Sequence, residues 1–217
     1  MSTAFASRLS AVQPSATLAV TQRAAELKAQ GVDVLSFGLG EPDFETPAHV
    51  REAARQAIEA GSSHYTRVRG IEPLLSAIQA ESLRRRGGVG HDTTEIAVSV
   101  GAKHTLFNLA MVLYEPGDEV LVPAPYWVSY PDQARLFGAT PRTLPTEEKD
   151  GSRLTPEVLA AAVTEKTKAL ILCSPSNPTG SAYTAAQLRA LADVAKAAGD
   201  FWIIADEIYG ELVYDGF

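Results

Sequence analysis

Two short apolar runs that each break off into polar groups constrain this chain more than any other feature. Ala169-Leu170-Ile171-Leu172-Cys173 leads into Ser174-Pro175-Ser176-Asn177-Pro178-Thr179-Gly180, and Phe201-Trp202-Ile203-Ile204-Ala205 ends in Asp206-Glu207-Ile208-Tyr209. Short continuous apolar runs suit strands covered on both faces, as in a parallel sheet flanked by helices. Ligands in such sheets sit beyond the carboxyl ends of the strands, so Asp206 and the Asn177 turn are candidates to face one. Taken singly, each also has an ordinary structural explanation. Acids at strand ends are common, and Asn-Pro with a glycine nearby is turn chemistry.

From Glu95 onward the pattern alternates strands and helices, which argues for a doubly wound α/β sheet. Strands are predicted over 96–100, 119–122, 140–144, 169–173 and 201–205. Helices are predicted over 101–114, 126–137, 155–163 and 184–198, the third with Thr155 as its cap. Before residue 95 the rhythm is absent. There the pattern predicts a helix over 17–30 closed by Gly31, a strand over 32–37, a helix from Pro47 to Ala60 and a helix over 71–86. Between them, Gly38-Leu39-Gly40-Glu41-Pro42-Asp43-Phe44 is a turn whose glycines permit a close backbone approach.

The net charge of -7 argues against nucleic acid or an anionic membrane surface as the main partner. The one basic run, Arg84-Arg85-Arg86, reads as the solvated end of a helix stopped by Gly87-Gly88. Cys173 is the only cysteine, so no disulfide framework or zinc cluster is expected, and no metal site. The first residues lack the apolar core of a signal peptide, and no apolar run approaches the ~18 residues of a membrane span, so a cytoplasmic location is the default.

Asn177-Pro178-Thr179-Gly180, followed by a helical segment and then Asp206-Glu207-Ile208-Tyr209, resembles the class I/II, fold type I aminotransferases, over about residues 14–209. Within that family the motifs Gly40-Glu41-Pro42-Asp43-Phe44 and Tyr126-Trp127-Val128-Ser129-Tyr130 are most similar to the aspartate aminotransferase branch. The resemblance implies pyridoxal 5'-phosphate (PLP) as cofactor, an amino acid and a 2-oxo acid as substrates, and a homodimer. It implies an incomplete, mostly parallel PLP-transferase sheet over 46–217, with an arm and small-domain segment over 1–45. The cofactor residues it implies are Gly101, Ala102 and Lys103 at the phosphate, Trp127 stacked on the ring and Asp206 at the pyridine nitrogen. Asn177 and Tyr209 serve the phenolic oxygen, and Tyr65 reaches the phosphate of the other subunit. Gly40, Trp127 and Asn177 are implied at the substrate, and Lys103 either faces its side chain or is a solvated lysine at a helix end.

The family's Schiff-base lysine lies downstream of Asp-Glu-Ile-Tyr, and none of Lys28, Lys103, Lys149, Lys166, Lys168 and Lys196 stands in a matching context. The chain thus resembles the N-terminal part of such an enzyme, has no catalytic residue of its own to assign, and is expected to be inactive alone. A PLP-dependent β-lyase, or a truncated PLP-binding protein without turnover, remain the alternatives.

Overall fold

The computed structural model describes residues 5–12, 14, 16–38, 40–42 and 44–214. Leu39 and Asp43 of the glycine-rich turn lie outside the described residues, as does Phe217. The chain divides into two compact units, one of residues 14–99 and one of residues 1–13 with 100–217.

The unit of residues 14–99 is built on three helices, α1 (Ala16–Ala29), α2 (Ala48–Glu59) and α3 (Glu72–Arg85). Pro47, the predicted opening residue, sits instead at the N-cap of α2, one position before the helix begins, where its missing N–H leaves nothing unsatisfied. At the end of α3, Glu81 pairs with Arg84 at 2.6 Å and Arg85 at 2.5 Å, one helical turn along. Among the described residues of this unit only Leu75 is buried. Gly70 lies over it with φ +120°, and a Cβ there would meet Val98 Cγ2 at 3.0 Å.

Two predicted strands do not form, the one before residue 95 and the first of the alternating rhythm. Residues 32–37 and 96–100 carry no strand. A strand exists only by pairing, and the Val98 N–H, donated to the Arg69 carbonyl at 2.9 Å, is a single bond rather than a ladder.

The second unit holds α4 (Ala102–Leu113), β1 (Glu119–Pro123), α5 (Ser129–Leu136), β2 (Thr140–Leu144), α6 (Pro156–Ala162), β3 (Thr167–Cys173), α7 (Ala185–Ala198) and β4 (Trp202–Asp206). The four strands are all parallel, in the order β2-β1-β3-β4. Alternation along the strands splits the core in two. Val120, Val122, Ala169, Ile171 and Ile204 pack with Leu106 and Ala110 of α4 and Tyr130 and Ala134 of α5. Leu121, Leu170 and Leu172 pack with Leu159 of α6 and Leu191 of α7 on the opposite face. This is the doubly wound arrangement the rhythm predicts, and each fully buried leucine contributes about 1.5–3 kcal/mol.

The helix starts follow their caps. Thr155 Oγ1 accepts the Val158 N–H at 3.4 Å, and Thr184 and Gln187 close a reciprocal capping box at the start of α7. Helix α5 begins at Ser129 rather than at residue 126, because Tyr126 and Trp127 pack against the core from outside the helix.

Strand β4 departs from the expectation of cover on both faces. Ile204 and Asp206 are buried, but Trp202 is 58% and Ile203 45% exposed. Among the described residues β3 is its one strand neighbour.

Candidate functional site

The register of β3 and β4 places Cys173 beside Asp206, so the Asn177 turn and the segment after Asp206 leave the sheet side by side. Asp206, at 9% exposure, is one of two buried polar or charged side chains among the described residues. Its Oδ2 accepts the Tyr130 hydroxyl at 2.7 Å and its Oδ1 accepts the Ile208 N–H at 3.2 Å. Burial, then the neighbouring Cys173 and Asp206, push the Tyr130 phenol far above its ordinary value. Tyr130 therefore keeps its proton and Asp206 is held as the acceptor. A carboxylate has about four lone-pair sites, and two bonds leave capacity for a ligand N–H.

Tyr130 also meets Trp127 edge-to-face, with centroids 5.4 Å apart, and Lys103 Nζ stands 4.8 Å over the Trp127 ring. That distance is within cation–π range. Beyond the ends of β3 and β4, Asn177 Nδ2 donates to the Tyr209 hydroxyl oxygen at 3.1 Å. Tyr209 accepts in that bond, so its own proton is available to a further acceptor.

Gly101 is the N-cap of α4 with φ +80°, a conformation that L side chains rarely adopt, and no atom comes within 4 Å of a Cβ built on it. The first N–H groups of α4 have no partner within their own helix and lie at its positive end, which suits an anion. Near Asn177, a cavity of about 20 Å³ lies between Tyr126, Tyr130, Cys173 and Ser176. That is room for one water and not for an aromatic ring, so a ring could lie only on the open side of the site.

These groups fit PLP in three respects: a carboxylate for the ring nitrogen, a paired amide and phenol for the ring oxygen, and a helix start for the phosphate. The structure brings together Lys103, Trp127 and Asp206, and separately Asn177 with Tyr209. Gly40 and Tyr65 belong to the unit of residues 14–99 and are both exposed within it. Sequence reasoning missed Tyr130. Its only local signal is a position three residues after Trp127, and nothing nearby in sequence points to Asp206, 76 residues further on.

Fold and site are those of an open α/β sheet protein with its polar groups gathered at the carboxyl ends of the strands. The chain belongs to the family of class I and II aminotransferases, whose model matches residues 32–217. It is 47% identical over 209 residues to the aspartate/prephenate aminotransferase of Cereibacter sphaeroides, covering 96% of this chain and 52% of that protein. It is also 47% identical over 212 residues to the aspartate aminotransferase of Geobacillus stearothermophilus, covering 98% of this chain and 53% of that one. Among solved structures, the aspartate aminotransferase of Rhizobium meliloti superposes with a TM-score of 0.94 at 42% identity, over 99% of this chain and 53% of that chain. That of Thermus thermophilus, solved with maleate, gives a TM-score of 0.91 at 45% identity, over 98% of this chain and 55% of the other. The chain thus spans about half the length of the curated relatives it matches. Among the described residues no helix is long and apolar enough to cross a membrane.

Proposed function

We propose that this chain forms the N-terminal part of a PLP-dependent aminotransferase that moves an amino group between aspartate, or a similar amino acid, and a 2-oxo acid. The observation that carries the reading is the buried Asp206 carboxylate, held by Tyr130 beside the Asn177–Tyr209 pair at the ends of β3 and β4. Bound PLP supplies an electron sink for the carbanion left when a substrate loses its α-proton.

The chain's own residues have distinct tasks. Asp206 accepts the ring N–H and keeps the ring cationic, because an adjacent carboxylate favours the charged form. Asn177 and Tyr209 donate to the ring oxygen, and Trp127 stacks on the ring. The N–H groups of Gly101, Ala102 and Lys103 receive the phosphate, with Tyr65 contributed by the second subunit of a homodimer. Gly40 is assigned to the substrate's α-carboxylate, and Trp127 and Asn177 are assigned to the substrate as well. Lys103 offers a positive charge next to Trp127, which suits a second carboxylate on the substrate. The Thermus relative solved with maleate, a four-carbon dicarboxylate, supports that preference. No lysine of this chain is given the α-proton; that step falls to residues outside it. Residues 1–45 act as the arm and small-domain segment and residues 46–217 as part of the large domain. The setting is cytoplasmic.

The test is product analysis of the full-length protein with PLP, aspartate and 2-oxoglutarate. Oxaloacetate and glutamate in equal amounts are expected. Release of ammonia and pyruvate from an amino acid that carries a β-leaving group, such as β-chloroalanine, with no glutamate formed from aspartate, would assign a lyase, and bound PLP without turnover of either kind would leave a binding protein.

A further inference from the structure

The turn that leads into α4 is fixed by side chains on its outer side. His104 Nδ1 accepts the Val100 N–H at 3.2 Å, four residues back along the chain. The Gly101 carbonyl accepts the N–H groups of His104 at 3.1 Å and Thr105 at 3.2 Å. The Lys103 carbonyl accepts the Gln133 side-chain amide of α5 at 3.2 Å. What these bonds leave over are the N–H groups of Ala102 and Lys103, which a helix start cannot satisfy within itself.

Gly101 permits this turn without holding it. With φ +80° and open space where a Cβ would stand, a glycine can adopt several other conformations at little expense, and each would aim the neighbouring N–H groups differently. A ligand that needs those groups convergent would have to order them on binding. The imidazole of His104 restricts that freedom by holding the Val100 N–H, so that the bond spans Gly101 and ties the chain on its near side to the first turn of α4.

We infer that His104 is a positioning residue for phosphate. It touches no reacting atom. It fixes the Val100 N–H so that the free N–H groups of Ala102 and Lys103 are already convergent when the phosphate arrives. The inference rests on the reading of this turn as the phosphate site. It also requires the neutral imidazole to carry its proton on Nε2, since Nδ1 is the acceptor.

The test titrates the PLP-free form of the full-length protein with PLP and with pyridoxal, the same ring without its phosphate. The unaltered protein is expected to prefer PLP. His104→Leu is expected to weaken PLP binding roughly fivefold, the worth of one hydrogen bond, and to leave pyridoxal binding unchanged. His104→Gln, whose side-chain oxygen can also accept the Val100 N–H, is expected to recover most of the loss. A leucine variant that keeps the full preference for PLP overturns the inference and leaves the phosphate reading standing. Equal losses for PLP and pyridoxal also overturn it, because they mark a purely structural role. An unaltered protein with no preference for PLP overturns the phosphate reading itself, and the inference with it. Should the leucine variant fail to fold, the imidazole nitrogen shifts of the PLP-free protein decide: the Nε2–H tautomer supports the inference and the Nδ1–H tautomer overturns it.

Discussion

The two strands that end in the candidate site have similar apolar sequences and different surroundings. Strand β3 lies between β1 and β4 with residues 169–172 buried, so its leucines and isoleucine serve both core clusters. Strand β4 pairs with β3 alone among the described residues, and Trp202 and Ile203 stand largely exposed. Yet β4 carries the buried carboxylate. What holds Asp206 in place is therefore β3 on one edge and Tyr130 of α5 from the covered face, not burial of the strand as a whole. A strand of this sequence shows where a ligand-facing residue belongs, whereas the neighbours decide how firmly it is held.

The comparison can be broken by substitution. The largest effect is expected at β3, where Leu170→Ala in the full-length protein should lower unfolding free energy by about 2–5 kcal/mol, the range for emptying a packed leucine site. Urea unfolding followed by fluorescence and circular dichroism would measure it, and a loss below about 1 kcal/mol would mean that the β3 core is not close-packed. Next in size, Tyr130→Phe leaves a buried carboxylate short of a donor and should cost about 1–3 kcal/mol. The same unfolding experiment reads the loss, and PLP affinity should fall with it. No change in either quantity would remove Tyr130 as the support of Asp206.

The smallest effect is expected on the exposed edge. In the 217-residue chain, Ile203→Lys should change the unfolding free energy by no more than about 0.5 kcal/mol, as for surface positions generally. It should nonetheless reduce concentration-dependent association in sedimentation experiments, because a charge blunts an apolar strand edge. A loss as large as that of Leu170→Ala would show that β4 is packed like β3 and would erase the contrast.

Much of the strand-and-helix unit was legible in the sequence because its signals are local. The apolar runs of β1, β3 and β4 and the caps at Thr155 and Thr184 each announce an element within a few residues. Residues 32–37 and 96–100 misled for the converse reason: their composition suits a strand, but pairing depends on neighbours that local sequence does not name. The site divides in the same way. Asp206, Asn177 and Tyr209 stand in motifs at strand ends, and the structure brings Asn177 and Tyr209 into contact. Tyr130 and His104 were missed because each acts through a partner: a carboxylate distant in sequence for one, a backbone N–H for the other.

The central claim is that Asp206 holds the cofactor ring, and Asp206→Ala in the full-length protein tests it most directly. Steady-state transamination and PLP binding would be measured on the same preparation. The account predicts that turnover falls by about a hundredfold or more, on the scale of removing one group that stabilises developing charge, and that PLP binds more weakly. Turnover near that of the unaltered protein, with PLP still bound, would contradict the account and take Asp206 out of the site.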